Sequence, residues 1–130
     1  LQRQGNIGVA YTYNEPLVGY EYVRDTAALV RRAGMKNVIV TNGSVTEEVL
    51  EEILPFTDAM NIDLKGITDA FYRSLGGDLE TVKRFIKRAA PACHVELTTL
   101  IVPGENDSET VCRLADVAGR HLKHVFTGNC

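Results

Sequence analysis

Five short apolar, β-rich runs alternate along this chain with segments of helical periodicity, and that alternation limits the fold more than any other feature. The runs are 7–12, 37–41, 59–63, 94–102 and 124–127. Between the first two, apolar residues recur at Tyr20, Val23, Ala27 and Val30, the spacing of one helical face. Asn14 offers an N-cap for this helix, Pro16 suits its first turn and Gly34 closes it. Thr46 is placed to cap a second helix over 47–54, ended by Pro55. Two helical stretches, 69–75 and 79–90, are parted by Gly76-Gly77, and Asp107-Ser108 opens a last helix to about 122. Strands alternating with helices through short turns predict right-handed βαβ crossovers and a parallel sheet, an α/β fold.

The chain fits one unit. Its 130 residues are 45% hydrophobic and 24% charged, without low-complexity tracts or a linker that would divide it. A net charge of -3 and a pI near 5.6 give no basic footprint for nucleic acid. No apolar run approaches the ~20 residues that span a bilayer, and 1–5 lead into a strand without a signal-peptide pattern. The expected location is the cytoplasm. Cys93, Cys112 and Cys130 are odd in number and widely spaced, which suits reduced thiols and supplies no local metal motif. His94, His121 and His124 have no spacing that makes a metal triad.

Polar residues cluster where the strands end. Parallel strands share one carboxyl rim, and ligand chemistry gathers there. At the first rim position Glu15 either accepts hydrogen bonds from a ligand ammonium or complements a helix dipole. Thr41-Asn42-Gly43 is either a left-handed turn or a ligand-facing amide. Asp63 and Lys65 fall on one face by strand alternation, as a mutual ion pair, a carboxylate-binding ammonium or a Schiff-base lysine. Glu96 and Thr98 point to one side of the fourth strand, and a buried Glu96 needs a partner. Ile101-Val102-Pro103-Gly104 ends that strand with a surface suited to a nucleobase or with a plain turn.

Four segments together resemble the radical S-adenosylmethionine (radical SAM) enzymes: 5–16 ending in Tyr13-Asn14-Glu15-Pro16, Val40-Thr41-Asn42-Gly43, Met60-Asn61-Ile62-Asp63-Leu64-Lys65, and 100–107 with Val102-Pro103-Gly104-Glu105. The branch they resemble is that of the pyruvate formate-lyase activating enzymes and the AmmeMemoRadiSam proteins. The resemblance implies part of a (β/α)6 partial TIM barrel, with residues 1–130 a partial core domain. It implies S-adenosylmethionine and a [4Fe-4S] cluster, reductive cleavage to a 5′-deoxyadenosyl radical, hydrogen abstraction and, in this branch, activation of glycyl-radical enzymes. A protein substrate and an electron donor such as flavodoxin or ferredoxin would be the partners.

By position, the implied cofactor-binding residues are Asn14, Glu15, Thr41, Asn42, Asp63, Lys65, Thr98, Val102 and Pro103. Tyr13 and Asn14 stand where the family's Gly-Gly-Glu motif has its glycines, and Glu15 keeps the acceptor for the methionine amino group. Val40 replaces an Asp that helps activating enzymes form a cation site. The Cys-x-x-x-Cys-x-x-Cys cluster loop is not in this sequence and is expected upstream of Leu1. Roughly one βα unit is also expected between Glu109 and Thr110, as if ordered parts of a longer protein were joined or the gene product were truncated. Two rival readings remain: a Schiff-base lyase or aldolase using Lys65, and a non-catalytic fragment.

Overall fold

The computed structural model describes residues 4–101 and 124–128. Five strands, β1 (Gly8–Tyr11), β2 (Lys36–Thr41), β3 (Ala59–Asp63), β4 (His94–Leu100) and β5 (His124–Gly128), form one sheet in the order β1-β2-β3-β4-β5. Every neighbouring pair is parallel. The sheet is crossed by α1 (Tyr20–Arg32), α2 (Glu47–Ile53), α3 (Asp69–Ser74) and α4 (Leu79–Ala89). Because the steps from β1 to β4 each move one place in the same direction, right-handed connections put α1, α2, α3 and α4 on one face. A doubly wound sheet would reverse its order part-way. This chain therefore has barrel-type winding.

Burial alternates accordingly. Ile39, Met60, Ile62, Val95 and Leu97 face the helices and join one core with Val23 and Ala27 of α1, Leu50 and Ile53 of α2, and Val82, Phe85 and Ala89 of α4. Burying a side chain of this size stabilises the fold by about 1.5–3 kcal/mol. The other face carries Val38, Val40, Asn61, Asp63, Glu96, Thr98 and Phe126, all at least partly exposed. Among the polar residues on the helix side, Asn37 is fully buried and hydrogen-bonded through both its amide nitrogen and its oxygen. Its Nδ2 donates to the Ala27 and Phe56 carbonyls at 3.0 and 2.9 Å, and its Oδ1 accepts from the Tyr11 hydroxyl at 3.0 Å. One side chain thus ties β1, β2, α1 and the turn before β3.

Two local expectations are corrected. The N-cap of the first helical turn is Glu15, whose Oε1 accepts from Leu17 N at 3.1 Å, and Asn14 makes no cap. That turn is a 3-10 helix, Pro16–Gly19, and α1 begins at Tyr20. Thr46 occupies the N-cap position of α2 without a side-chain capping bond, and Pro55 lies inside a 3-10 turn, Leu54–Phe56. Val102, Pro103, the helix expected to about 122, His121, Cys112, Cys130 and the Glu109–Thr110 junction lie outside the described residues.

Candidate functional site

The rim at the carboxyl ends of β1 to β4 is organised by one carboxylate. Glu15 Oε1 accepts from Thr41 Oγ1 at 2.7 Å as well as from Leu17 N, and Oε2 accepts from Asn42 N at 2.7 Å. The first two polar clusters are therefore a single unit joining the ends of β1 and β2. Tyr13 precedes it at φ +62°, in the left-handed region that glycine favours, at the position where the resembled motif has a glycine. Tyr13 and Asn14 are exposed, and among the described residues no hydrogen bond holds the Asn14 side chain.

The turn reading of Thr41-Asn42-Gly43 is also realised. Gly43 has φ +69°, and its N–H donates to Thr41 Oγ1 at 3.1 Å. A Cβ on Gly43 would lie 3.3 Å from Ile62 Cγ2 and 3.4 Å from Phe85 Cδ1, so the turn packs directly on β3 and α4. Asn42 Oδ1 accepts from Ser44 N at 2.8 Å, and its Nδ2 makes no hydrogen bond among the described residues.

At the end of β3, Asp63 Oδ2 is ion-paired with Lys65 Nζ. Asp63 Oδ1 is buried and has no hydrogen-bond partner among the described residues, an acceptor awaiting a donor. About 41% of the Lys65 side chain is exposed, so the ammonium is paired and open to solvent. A Schiff-base lysine needs a desolvated neutral amine, and this geometry gives that reading no support. The backbone beneath is fixed twice: Leu64 N donates to Thr98 O at 2.9 Å, and Thr99 Oγ1 donates to Leu64 O at 2.9 Å. Lys65 N donates to the Tyr72 hydroxyl at 3.1 Å. Burial raises the pKa of Tyr72, and the charge of Asp63 adds to that, so it stays a neutral phenol.

One step inward, Asn61 and Thr98 pair across β3 and β4, Nδ2 to Oγ1 at 2.9 Å and Oγ1 to Oδ1 at 3.1 Å. Asn61 was not singled out from the sequence, although it lies two residues before Asp63 and so on the same face. Tyr72 was missed too, since its apolar neighbours read as an ordinary core helix. Glu96 is half-buried and meets His94 Nε2 at 3.2 Å, towards the start of the strand and away from the rim. Thr41 is next to Ile62 and Asp63 next to Thr98 in register. With strands about 4.8 Å apart, Glu15, Asn42, Asp63, Lys65 and Thr98 share one edge.

A cavity of about 670 Å³ lies elsewhere, between α2 and α4, lined by Val45, Leu50, Phe85, Arg84 and Arg88 among others. It contains none of the cofactor-binding residues expected from sequence. The rim is the better candidate, because polar groups from four strands converge there.

Residues 1–115 match the radical SAM superfamily. The chain belongs to that superfamily. It is 45% identical over 102 residues to an uncharacterized protein of Methanocaldococcus jannaschii, covering 78% of this chain and 30% of the relative. It is 28% identical over 109 residues to the pyruvate formate-lyase 1-activating enzyme of Escherichia coli K12, covering 78% of this chain and 43% of the enzyme. The chain thus spans less than half the length of these curated relatives.

Two solved structures share the fold. One is a domain of pyruvate-formate lyase-activating enzyme from Bacteroides vulgatus, with a TM-score of 0.78 at 21% identity, covering 91% of this chain and 75% of that one. The other is archaeal TYW1, with a TM-score of 0.68 at 22% identity, covering 88% of this chain and 39% of that one. Both agree with the barrel-type winding. Radical SAM proteins in general use S-adenosylmethionine and a [4Fe-4S] cluster. Among the described residues, no group of three or more His, Cys, Asp or Glu could hold a metal ion. Among the described helices, none is long and apolar enough to cross a membrane.

Proposed function

We propose that this chain is the part of a radical SAM enzyme core that holds the amino-acid end of S-adenosylmethionine, within a longer protein that activates a protein substrate. The observation that carries the reading is the Asp63–Lys65 pair beside the Glu15 clamp. It sets a buried acceptor, unpartnered among the described residues, and a paired cation on the same rim as a second carboxylate.

A zwitterionic α-amino acid needs acceptors for its ammonium and a donor for its carboxylate. Glu15 uses three of roughly four lone-pair sites on Leu17 N, Thr41 Oγ1 and Asn42 N, so one direction stays open. Asp63 Oδ1 is the second acceptor, and Lys65 is the donor, giving a charge-assisted bond. Thr41 acts through Glu15 by holding its carboxylate. Asn42 Nδ2 and Thr98 Oγ1 face the rim as polar contacts for the rest of the cofactor. Asn14, Val102 and Pro103 complete the set that the family resemblance implies.

When bound, S-adenosylmethionine would supply the sulfonium that one electron, from a reductant outside the described residues, cleaves to methionine and a hydrogen-abstracting 5′-deoxyadenosyl radical. The described residues do not fit an iron–sulfur cluster, because they offer no ligand set. The role of this chain's groups is to bind and orient. The similarity to an activating enzyme supports a protein substrate, with a glycyl-radical enzyme and a small electron-transfer protein as the partner classes. The test is release of 5′-deoxyadenosine from S-adenosylmethionine by the intact protein under anaerobic reducing conditions. Release supports the reading. Binding without release would turn it into that of a non-catalytic binding module.

A further inference from the structure

The crossover from β3 to β4 needs one helix, and α4 provides it. The short α3 is additional, and it has a single buried residue, Tyr72. That residue is only 3% exposed, and its hydroxyl receives the Lys65 N–H. The ring of the preceding Phe71 lies against Gly66, where a Cβ would come within 2.6 Å of Phe71 Cδ1. Three successive rim residues are therefore gripped from behind: Leu64 by β4, Lys65 by Tyr72 and Gly66 by Phe71. Thr68 holds α3 in place, its Oγ1 accepting from Phe71 N at 3.3 Å and its carbonyl from Tyr72 N at 3.1 Å.

We infer that α3 is a clamp and Tyr72 its positioning residue, fixing the backbone of Lys65 so that the Lys65 ammonium and Asp63 meet the carboxylate and ammonium of the ligand's amino-acid end. This rests on the site reading above. Tyr72 does not touch the ligand. Its hydroxyl orders the peptide that carries Lys65 by accepting the Lys65 N–H.

The experiment uses the intact protein and equilibrium dialysis of labelled S-adenosylmethionine. Wild type, Tyr72→Phe, Lys65→Met and the double variant are compared, with thermal unfolding recorded for each. Lys65→Met is expected to weaken binding about tenfold or more. Tyr72→Phe retains the ring in the core and is expected to weaken binding about three- to tenfold. Added to Lys65→Met it should change nothing further, because its effect passes through Lys65. Decarboxylated S-adenosylmethionine should bind wild type and Tyr72→Phe alike. Amide hydrogen exchange at Lys65, read without ligand, should speed up at least tenfold in Tyr72→Phe. Phe71→Leu, which loosens the same clamp at Gly66, should repeat the pattern.

If Lys65→Met weakens binding but Tyr72→Phe and Phe71→Leu do not, the clamp is refuted and the site reading stands. The same holds if Tyr72→Phe costs as much in the Lys65→Met background as in wild type. If Lys65→Met leaves binding unchanged, the site reading fails and the clamp fails with it.

Discussion

Glu15→Gln isolates the contact on which the rim is built. In the native chain, Oε1 serves Leu17 N and Thr41 Oγ1 while Oε2 serves Asn42 N. Glutamine has one acceptor oxygen. The better orientation retains the two bonds at the Oε1 position and turns the amide NH2 towards the Asn42 N–H, donor against donor. A hydrogen bond to a charged group is worth about 1.5–3 kcal/mol. The two retained bonds weaken when the acceptor becomes neutral, while partial exposure lets water soften the loss at Asn42. The net cost should be about 2 kcal/mol. For a chain of this size that corresponds to a fall in Tm of roughly 6–10 °C. Thermal and urea unfolding should agree, with an unchanged m value. Thr41→Val removes the hydroxyl that links Glu15 to Gly43 N, so the double variant should fall short of the sum by at least about 0.5 kcal/mol. A Glu15→Gln protein within about 0.5 kcal/mol of wild type would refute the clamp as the organiser of the rim.

The remaining expectations concern the sheet and its thiol. Asn37→Leu leaves the Tyr11 hydroxyl and the Ala27 and Phe56 carbonyls without their partner in the core; the expected loss is about 3–5 kcal/mol in urea unfolding, and a loss under about 1 kcal/mol would contradict the network. Burial raises the pKa of Asp58, but hydrogen bonds from Lys36 and Asn37 N and the charges of Lys36 and Arg31 outweigh it, so the net shift is downward. A depressed carboxylate stabilises the fold above its ordinary pKa of about 3.9, and that stability is lost as pH falls through the lower folded value. The stability gap between wild type and Asp58→Asn should therefore narrow only below about pH 4, and a gap that closes above pH 5 would be inconsistent. Burial, aided by Asp58, pushes the Cys93 thiol up to about 11. At pH 8 its alkylation, followed by peptide mapping, should be at least about a hundredfold slower than in unfolded protein; equal rates would show that the thiol is not held in that environment.

Much of this arrangement was legible in the residues themselves. The limits of β3, Ala59–Asp63, follow from a short apolar run between polar neighbours, and period-two alternation put Asp63 and Lys65 on one side. The first helix shows where local preference misleads. Asparagine outranks glutamate as a cap, so Asn14 was favoured. Pro16 fixes the first helical position, however, and so makes residue 15 the cap. The longer Glu15 side chain then reaches β2 as well as the helix. Glu96 found the partner that its partial burial called for, in His94 on the same strand.

What could not be read was tertiary. The Glu15–Asn42 contact spans 27 positions, and Tyr72 meets Lys65 across a loop with no periodic signal. The strand order needed the crossovers themselves. Neither propensity nor spacing contains those distances, which arise once the parallel sheet brings the strand ends together.

The central claim is that the rim binds the amino-acid end of S-adenosylmethionine. Its most direct test is an amide chemical-shift titration of the isotope-labelled protein with S-adenosylmethionine. The expected result is saturable shifts at Asn42, Gly43, Lys65 and Gly66, with the midpoint moved about tenfold or more to higher ligand concentration by Lys65→Met. Shifts confined to Val45, Leu50 and Phe85 around the α2–α4 cavity, or none at the rim, would contradict it.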